Sequence, residues 1–124
     1  MHKAGIVHCD IKPGNVMIDS NLKPVLIDYG LSHQYRDKSD EHIKDTKADG
    51  FKGTWAFCSL RTAHKQVQTR RDDLESLLYL VAYMLKVALP WIPHSTWKDK
   101  RKYIIREKLK ATYQSVHDLL PKSL

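Results

Sequence analysis

Two short runs of β-forming residues, separated by a turn, constrain the fold more than any other feature of the sequence. The run VMI begins at Val16, and the run PVLI ends at Ile27. The residues Asp19 to Asn21 between them favour a turn. The pattern predicts a β-hairpin over about Val16 to Ile27. Because a hairpin returns the chain to its starting point, residues just before and just after it should lie close together.

Polar residues of complementary chemistry flank the predicted hairpin. Asp10, Lys12 and Asn15 precede it, and Asp28 follows it in the sequence DYG. Phosphoryl transfer requires a carboxylate that accepts the proton of the attacking hydroxyl, a cation that neutralises charge on the phosphate, and oxygen ligands for Mg²⁺. The sequence therefore predicts a phosphoryl-transfer site in which Asp10, Asn15 and Asp28 converge on one side of the hairpin. The Lys12 side chain should point the same way.

The second half of the chain is predicted to be helical. An apolar segment stopped by Pro90 indicates a buried helix over about Asp73 to Val87, capped by an acidic residue. A second helix, amphipathic with a basic outer face, is indicated within Trp97 to Leu120. Between the hairpin and the helices, the segment from His33 to Lys52 has no hydrophobic period and is predicted to be a long loop.

Charge and composition restrict the classes of partner. The 124 residues carry a formal net charge of +7, and the basic residues are dispersed rather than concentrated in a tail. Nucleic-acid binding would rest on charge alone and is not expected, whereas an anionic substrate or nucleotide suits the same balance. The longest apolar run, Leu77 to Leu85, is far shorter than the roughly 20 residues of a membrane span, so no membrane partner is expected. Two isolated cysteines, Cys9 and Cys58, fit an intracellular protein, cytoplasmic or nuclear.

Four motifs occur in an order that resembles the catalytic half of a eukaryotic protein kinase: HCDIKPGN, LIDYGLS, GTWAFCS and RRDDLESL. Within that superfamily the chain resembles the casein kinase 1 group, which carries HRDIKPxN, YRDxxTxxHI, GTxxYxS and RRDDLESL. The matching segments here are His8–Asn15, Tyr35–Ile43, Gly53–Ser59 and Arg70–Leu77. Tyr29 and the stretch WKDKRKY are also similar to the vaccinia-related kinases.

The resemblance implies a role for each residue of the predicted site. Asp10 would be the catalytic base, Lys12 would contact the γ-phosphate of ATP, and Asn15 and Asp28 would bind Mg²⁺ and, through it, the nucleotide. Thr54 would hydrogen-bond near Asp10 and Lys12, as in kinases that phosphorylate Ser or Thr. The implied cofactors are ATP and Mg²⁺, and the implied partners are proteins phosphorylated on Ser or Thr.

The same resemblance assigns structural roles to residues around the site. Asp73 would anchor the backbone of the catalytic loop from the core helix, and His8 would pack and hydrogen-bond rather than shuttle protons. Cys9 stands where many kinases carry the Arg that gathers a phosphorylated activation loop, so control through that contact is not expected. Leu78 replaces a small Gly of the core helix, a change that local repacking should absorb.

The fold implied by the resemblance is α+β and mainly helical. It is the C-terminal lobe of a protein kinase with a small β-hairpin, and residues 1–124 form one partial catalytic domain. The sequence contains no G-x-G-x-x-G, so we expect the N-terminal, ATP-binding lobe to be absent and the isolated chain to be inactive. We also expect an apolar surface at the top of the hairpin, where that lobe would pack, through which the chain can self-associate.

Two other interpretations remain open. The chain could be a non-catalytic binding module, a truncated kinase lobe that competes for substrates or partners. It could also be a small-molecule phosphotransferase of the aminoglycoside kinase type, which carries HxDxxPxN followed by IDxG after a hairpin. Lys12 and RRDDLESL count against that second alternative, because those enzymes tend to have His at the first position and lack the second motif.

Overall fold

The structure is a computed structural model that describes residues 1–92 and 100–111. Its helices and sheets are of the expected α+β class, and helices contribute more residues than strands. Within the described ranges, no helix is long and apolar enough to cross a membrane. The strands and helices, in chain order, are β1 (Ile6–Val7), β2 (Val16–Ile18), β3 (Pro24–Leu26), β4 (His33–Gln34), α1 (Leu60–Ala63), α2 (Arg70–Met84) and α3 (Lys100–Lys110).

The predicted hairpin is confirmed. β2 pairs antiparallel with β3, and the register places Val16 opposite Leu26. The Asp19 carboxylate closes the turn, because it accepts hydrogen bonds from the backbone N–H groups of Asn21 and Lys23 at 2.8 and 2.9 Å. The end of β3 therefore lies directly beside the start of β2.

A second sheet is present that the sequence does not indicate. β1 pairs antiparallel with β4, with Ile6 opposite Gln34 and Val7 opposite His33. β4 occupies the first two residues of the predicted loop His33–Lys52, and the rest of that segment is irregular apart from isolated β-bridges. Strands of two residues carry no alternating pattern, so periodicity cannot reveal them.

The predicted core helix exists, but both of its ends lie earlier than the predicted Asp73–Val87. α2 begins at Arg70 because Thr69 is its N-cap, and the carboxylate of Asp72 accepts from the Thr69 N–H at 2.7 Å. This capping box, rather than an acidic N-cap, determines where the helix begins. At the other end Lys86 adopts a positive φ of 59°, which is incompatible with continuing the helix.

The main core lies between α2, α3 and the segment before α1. The Trp91 side chain is fully buried, and its indole N–H donates to the Ala56 carbonyl at 2.7 Å. Fully burying one large apolar side chain contributes about 1.5–3 kcal/mol, so this cluster fixes α3 against α2. Leu78 is half-buried against this cluster. The buried members are Ala56, Phe57, Tyr79, Ala82, Leu89, Trp91 and Ile104.

α3 lies inside the segment predicted to be an amphipathic basic helix, of which residues 97–99 and 112–120 fall outside the described ranges. Most of its basic side chains are at least partly exposed, but Lys108 is buried. The Lys108 ammonium donates to the carbonyls of Trp55 and Cys58. The prediction of a basic outer face is therefore wrong at this one position.

An apolar groove runs between the hairpin and α2, with a volume of about 810 Å³. Ile18 and Val25 line it from the hairpin, and Leu74, Leu77 and Met84 line it from α2. Each of these five side chains is more than a third exposed. An exposed apolar surface is thus present, and it extends along α2 rather than lying only at the top of the hairpin.

Candidate active site

Three of the predicted site residues meet in the structure. The Thr54 hydroxyl donates to Asp10 Oδ1 at 2.7 Å, and Lys12 Nζ lies 2.8 Å from Asp10 Oδ2. Lys12 Nζ also donates to Thr54 Oγ1 at 3.1 Å, which closes a triangle of contacts. The Asp10 side chain is 10% exposed and the Lys12 side chain 32%. The carboxylate is therefore mostly shielded, while the ammonium reaches solvent.

Asn15 is held against Asp10 by its amide nitrogen. This nitrogen donates to the Asp10 carbonyl at 2.9 Å and to Asp10 Oδ2 at 3.2 Å. Asn15 is buried and ends a 3₁₀ turn that begins at Pro13, where the fixed φ of proline suits the first position. Because the nitrogen faces Asp10, the oxygen of the same amide is the atom that could bind a cation.

Asp28 lies at the same end of the hairpin as Asn15. The Ile27 N–H donates to the Asn15 carbonyl at 3.0 Å, so the chain passes beside Asn15 immediately before Asp28. The Asp28 backbone has a positive φ of 62°, and its exposed carboxylate accepts from the Gly30 N–H at 3.2 Å. Among the described residues it makes no hydrogen bond or ion pair with Asp10.

The side-chain oxygens at this end of the hairpin are suitable ligands for Mg²⁺. Amide and carboxylate oxygens are the ligands that this hard cation prefers, and it usually retains waters and substrate phosphates as further ligands. Asn15 supplies an amide oxygen, and Asp28 supplies a carboxylate. A bound nucleotide would complete the coordination.

A buried carboxylate of α2 anchors the backbone of the segment His8–Asn15, which is named the catalytic loop here after its predicted role. Asp73 is 2% exposed, and it accepts from the His8 N–H at 2.8 Å and from the Cys9 N–H at 2.9 Å. The predicted anchor is thus confirmed. His2, which the sequence does not single out, donates to the same carboxylate at 2.8 Å. Asp73 therefore fixes His8 and Cys9, the two residues directly before Asp10.

His8 packs and hydrogen-bonds, as predicted. It is fully buried, its Nε2 lies 3.0 Å from the Ile27 carbonyl, and its Nδ1 accepts from the Asp10 N–H at 3.3 Å. Because a carbonyl oxygen can only accept, the ring proton lies on Nε2. Backbone groups engage both nitrogens, so the ring orients the loop rather than moving a proton.

Comparison with known proteins identifies the family. Residues 1–122 match the family model of the protein kinase domain. The chain belongs to the protein kinase family. A curated relative, a probable casein kinase I homolog from Encephalitozoon cuniculi (strain GB-M1), is 36% identical over 119 residues, which cover 96% of this chain. The chain spans 37% of the length of that relative. It is therefore casein kinase 1-like, as its motifs predict.

Gly53 is a residue of this chain whose structural role sequence reasoning did not predict. Its φ is +115°, and a Cβ at this position would lie 2.9 Å from the Cys9 carbonyl oxygen. Glycine alone tolerates both the conformation and the approach. Gly53 immediately precedes Thr54, so the close approach delivers the Thr54 hydroxyl to Asp10. The GT pair in the sequence was the available signal, but the close approach depends on tertiary structure.

Proposed function

We propose that the chain forms the C-terminal lobe of a Ser/Thr protein kinase of the casein kinase 1 type, which transfers the γ-phosphate of ATP to proteins. The triangle of Asp10, Lys12 and Thr54 carries the proposal. It places a carboxylate, an ammonium and a hydroxyl within 2.7 to 3.1 Å of one another. The family match favours protein substrates over the small molecules of aminoglycoside kinases. The kinase would act in the cytoplasm or nucleus.

Asp10 is the proposed general base. Thr54 orients one of its oxygens and Lys12 lies beside the other, so the carboxylate is fixed before a substrate arrives. A substrate Ser or Thr hydroxyl would donate its proton to this carboxylate as its oxygen attacks phosphorus. The partly exposed Lys12 ammonium would then contact the transferred phosphate and neutralise its charge.

Asn15 and Asp28 are the proposed Mg²⁺ ligands. The hydrogen bond between the Asn15 nitrogen and Asp10 would set the direction of the amide oxygen, and the turn at Gly30 would orient the Asp28 carboxylate. These two residues would hold Mg²⁺, which would supply positive charge to neutralise the phosphates of ATP.

Residues outside this sequence would supply the cover over the ATP phosphates. The 124 residues contain no G-x-G-x-x-G, and they span 37% of the casein kinase I homolog. Positioning of the reactants accounts for much of the rate enhancement in phosphoryl transfer. The isolated chain is therefore expected to transfer little or no phosphate.

A hybrid kinase tests the proposed function. The chain is joined to the N-terminal lobe of a casein kinase 1 relative, and transfer of labelled phosphate from Mg-ATP to Ser, Thr and Tyr peptides is measured. We expect transfer to Ser and Thr by the hybrid, and none above background by the N-terminal lobe alone. A hybrid that folds, as judged by circular dichroism, but transfers nothing would contradict the proposal. Robust transfer by the isolated chain would contradict the need for a second lobe.

The apolar groove favours a second, non-catalytic function, in which the chain binds another copy of itself. Leu74 in the groove is 59% exposed, and Leu109 on α3, outside the groove, is 57% exposed. Large exposed apolar patches mark interaction surfaces. Light scattering should detect dimers whose population rises with concentration, and Leu74→Glu should weaken them while Leu109→Glu should not. A monomer at high concentration would exclude this function.

A further inference from the structure

His33 lies between the catalytic loop and the residues before α2, and its two ring nitrogens have different partners. Nε2 lies 3.0 Å from the Gln68 carbonyl, and Nδ1 lies 3.4 Å from Cys9 Sγ. A carbonyl oxygen can only accept, so Nε2 carries the proton of the neutral ring. Nδ1 is then an acceptor, and the Cys9 thiol is the donor to it, since the other acceptor of the thiol, the Val7 carbonyl, lies farther away at 3.8 Å.

The Cys9 thiol retains its proton in this environment. The side chain is buried, and burial raises the pKa of Cys9 to about 12, with the negative charge of Asp73 adding to the shift. At neutral pH the group is therefore a thiol, which is a weak donor. Its contact with His33 Nδ1 is therefore a hydrogen bond donated by an uncharged thiol.

Gln68 extends this connection to the segment that precedes Thr54. Its backbone carbonyl accepts from His33, and its buried side chain donates from Nε2 to the Lys52 carbonyl at 2.9 Å. Lys52 is followed by Gly53, which closely approaches the Cys9 carbonyl. The connection that starts at the Cys9 side chain thus returns to the Cys9 backbone.

We infer that Cys9, His33 and Gln68 form a hydrogen-bonded relay that positions Thr54 against Asp10, and that Cys9 and His33 are positioning residues for phosphoryl transfer. The Thr54 hydroxyl donates to Asp10 at 2.7 Å, so the series of contacts begins and ends on the catalytic loop. The catalytic meaning of the relay rests on the proposed function. The relay itself is a property of the chain and is measurable without any phosphate transfer.

Nuclear magnetic resonance of the 124-residue chain tests the hydrogen bond between Cys9 and His33. The nitrogen-15 shift of His33 Nδ1 distinguishes an acceptor that receives a hydrogen bond from one that does not. Cys9→Ala removes the donor and should move this resonance to the value of an unbonded nitrogen. Cys9→Ser keeps a hydrogen-bond donor, so the nitrogen-15 shift of His33 Nδ1 should stay close to the wild-type value. An unchanged Nδ1 resonance in Cys9→Ala would overturn the relay.

Amide hydrogen exchange tests the effect of the relay on Thr54. The N–H groups of Phe57 and Cys58 donate to the Thr54 carbonyl at 3.0 and 2.8 Å, so their exchange reports the order of that turn. Cys9→Ala and His33→Ala should each speed this exchange about two- to tenfold, as expected for one lost hydrogen bond. The double variant should exchange no faster than the more affected single variant, because both changes break the same relay.

Two controls separate the relay from simple packing. Cys9→Ser should restore slow exchange, and His64→Ala, which removes an exposed imidazole at the end of α1, should not alter it. Additive effects of Cys9→Ala and His33→Ala would overturn the relay. So would equal behaviour of Cys9→Ser and Cys9→Ala.

The hybrid kinase then tests positioning. Cys9→Ala and His33→Ala should lower kcat while leaving the KM for the peptide nearly unchanged, and Cys9→Ser should rescue kcat. An unchanged kcat in variants that have lost the resonance and exchange signatures would overturn the positioning role. A hybrid that shows both signatures but transfers no phosphate would contradict the proposed function and leave the relay intact.

Discussion

Two buried charges of opposite sign hold the two ends of the candidate site, namely the catalytic loop with Asp10 and the segment before α1 with Thr54. At one end the Asp73 carboxylate, 2% exposed, accepts hydrogen bonds from two backbone N–H groups of the catalytic loop. At the other end the Lys108 ammonium, 3% exposed, donates to two backbone carbonyls of the segment before α1. In each case a side chain from a helix fixes an irregular segment that would otherwise bury unpaired backbone groups.

The two charges differ in how well their surroundings compensate them. Both oxygens of Asp73 accept from N–H donors, one of which belongs to a histidine ring. Lys108 lies over the rings of Tyr79 and Trp91, 4.8 and 5.3 Å from their centroids, and burial lowers its pKa. The carboxylate is therefore well solvated by the protein, whereas the cation remains costly to bury. Removal of the two charges should have unequal consequences.

Asp73→Ala should have the larger effect on stability. It leaves two buried N–H groups without an acceptor at about 1–3 kcal/mol each, so the free energy of unfolding should fall by about 2–6 kcal/mol. Urea denaturation measures the change, and Asp73→Asn, which keeps one acceptor oxygen, should lose less. A loss below about 1 kcal/mol for Asp73→Ala would show that the loop is held by other contacts.

The stability of the protein at alkaline pH tests both ends of the site, because each end contains a buried cysteine. Burial raises the pKa of both thiols; the charge of Asp73 adds to the shift at Cys9, whereas Lys108 opposes it at Cys58. A thiol with a raised folded pKa contributes stability that is present below its unfolded value, 9.0, and lost as pH rises towards the folded value, about 12 for Cys9.

The free energy of unfolding should therefore fall above pH 9 by up to about 1.4 kcal/mol per pH unit for each thiol. Cys9→Ser and Cys58→Ser should each remove the part of this slope that its own thiol contributes. Denaturation curves at a series of pH values give the slopes, and a variant whose slope equals that of the wild type would show that its thiol does not carry a raised pKa in the folded protein.

Lys108→Met should have the smallest effect on stability. The change leaves two carbonyls without this donor, but it also removes a buried charge, and apolar replacement of buried charges is often neutral or favourable. We expect a loss below about 2 kcal/mol in urea denaturation. Lys110→Met, at an exposed position of the same helix, is the matched control. A loss that exceeds that of Asp73→Ala would reverse the ranking of the two ends.

Local sequence patterns predicted the parts of the molecule that local physics determines. The hairpin follows from two β-forming runs and a turn, and α2 follows from its apolar segment. The meeting of Asp10, Lys12 and Thr54 was predictable because family motifs carry long-range information that the residues alone do not. The ends of α2 were missed because a capping box and a left-handed Lys86 decided them, and no glycine marks that position.

Tertiary contacts decided what the sequence could not indicate. Lys108 is one of several basic residues on α3, and its position alone does not distinguish a buried ammonium from a solvated one. The contact between Cys9 and His33 joins residues on different elements, and neither residue belongs to a pattern that predicts the other. The need for glycine at position 53 could not be predicted either, because it arises from close contact with the carbonyl of Cys9, a residue far away in the sequence.

The proposed role of Asp10 as the base is tested most directly by the rate of phosphate transfer in the hybrid kinase. Asp10→Asn should lower that rate by about 10²- to 10⁴-fold, the usual contribution of a general base. Asp19→Asn makes the same chemical change in the hairpin turn, away from the triangle, and should leave the rate unchanged. A hybrid with Asp10→Asn that transfers phosphate as fast as the wild type would contradict the assignment of this site.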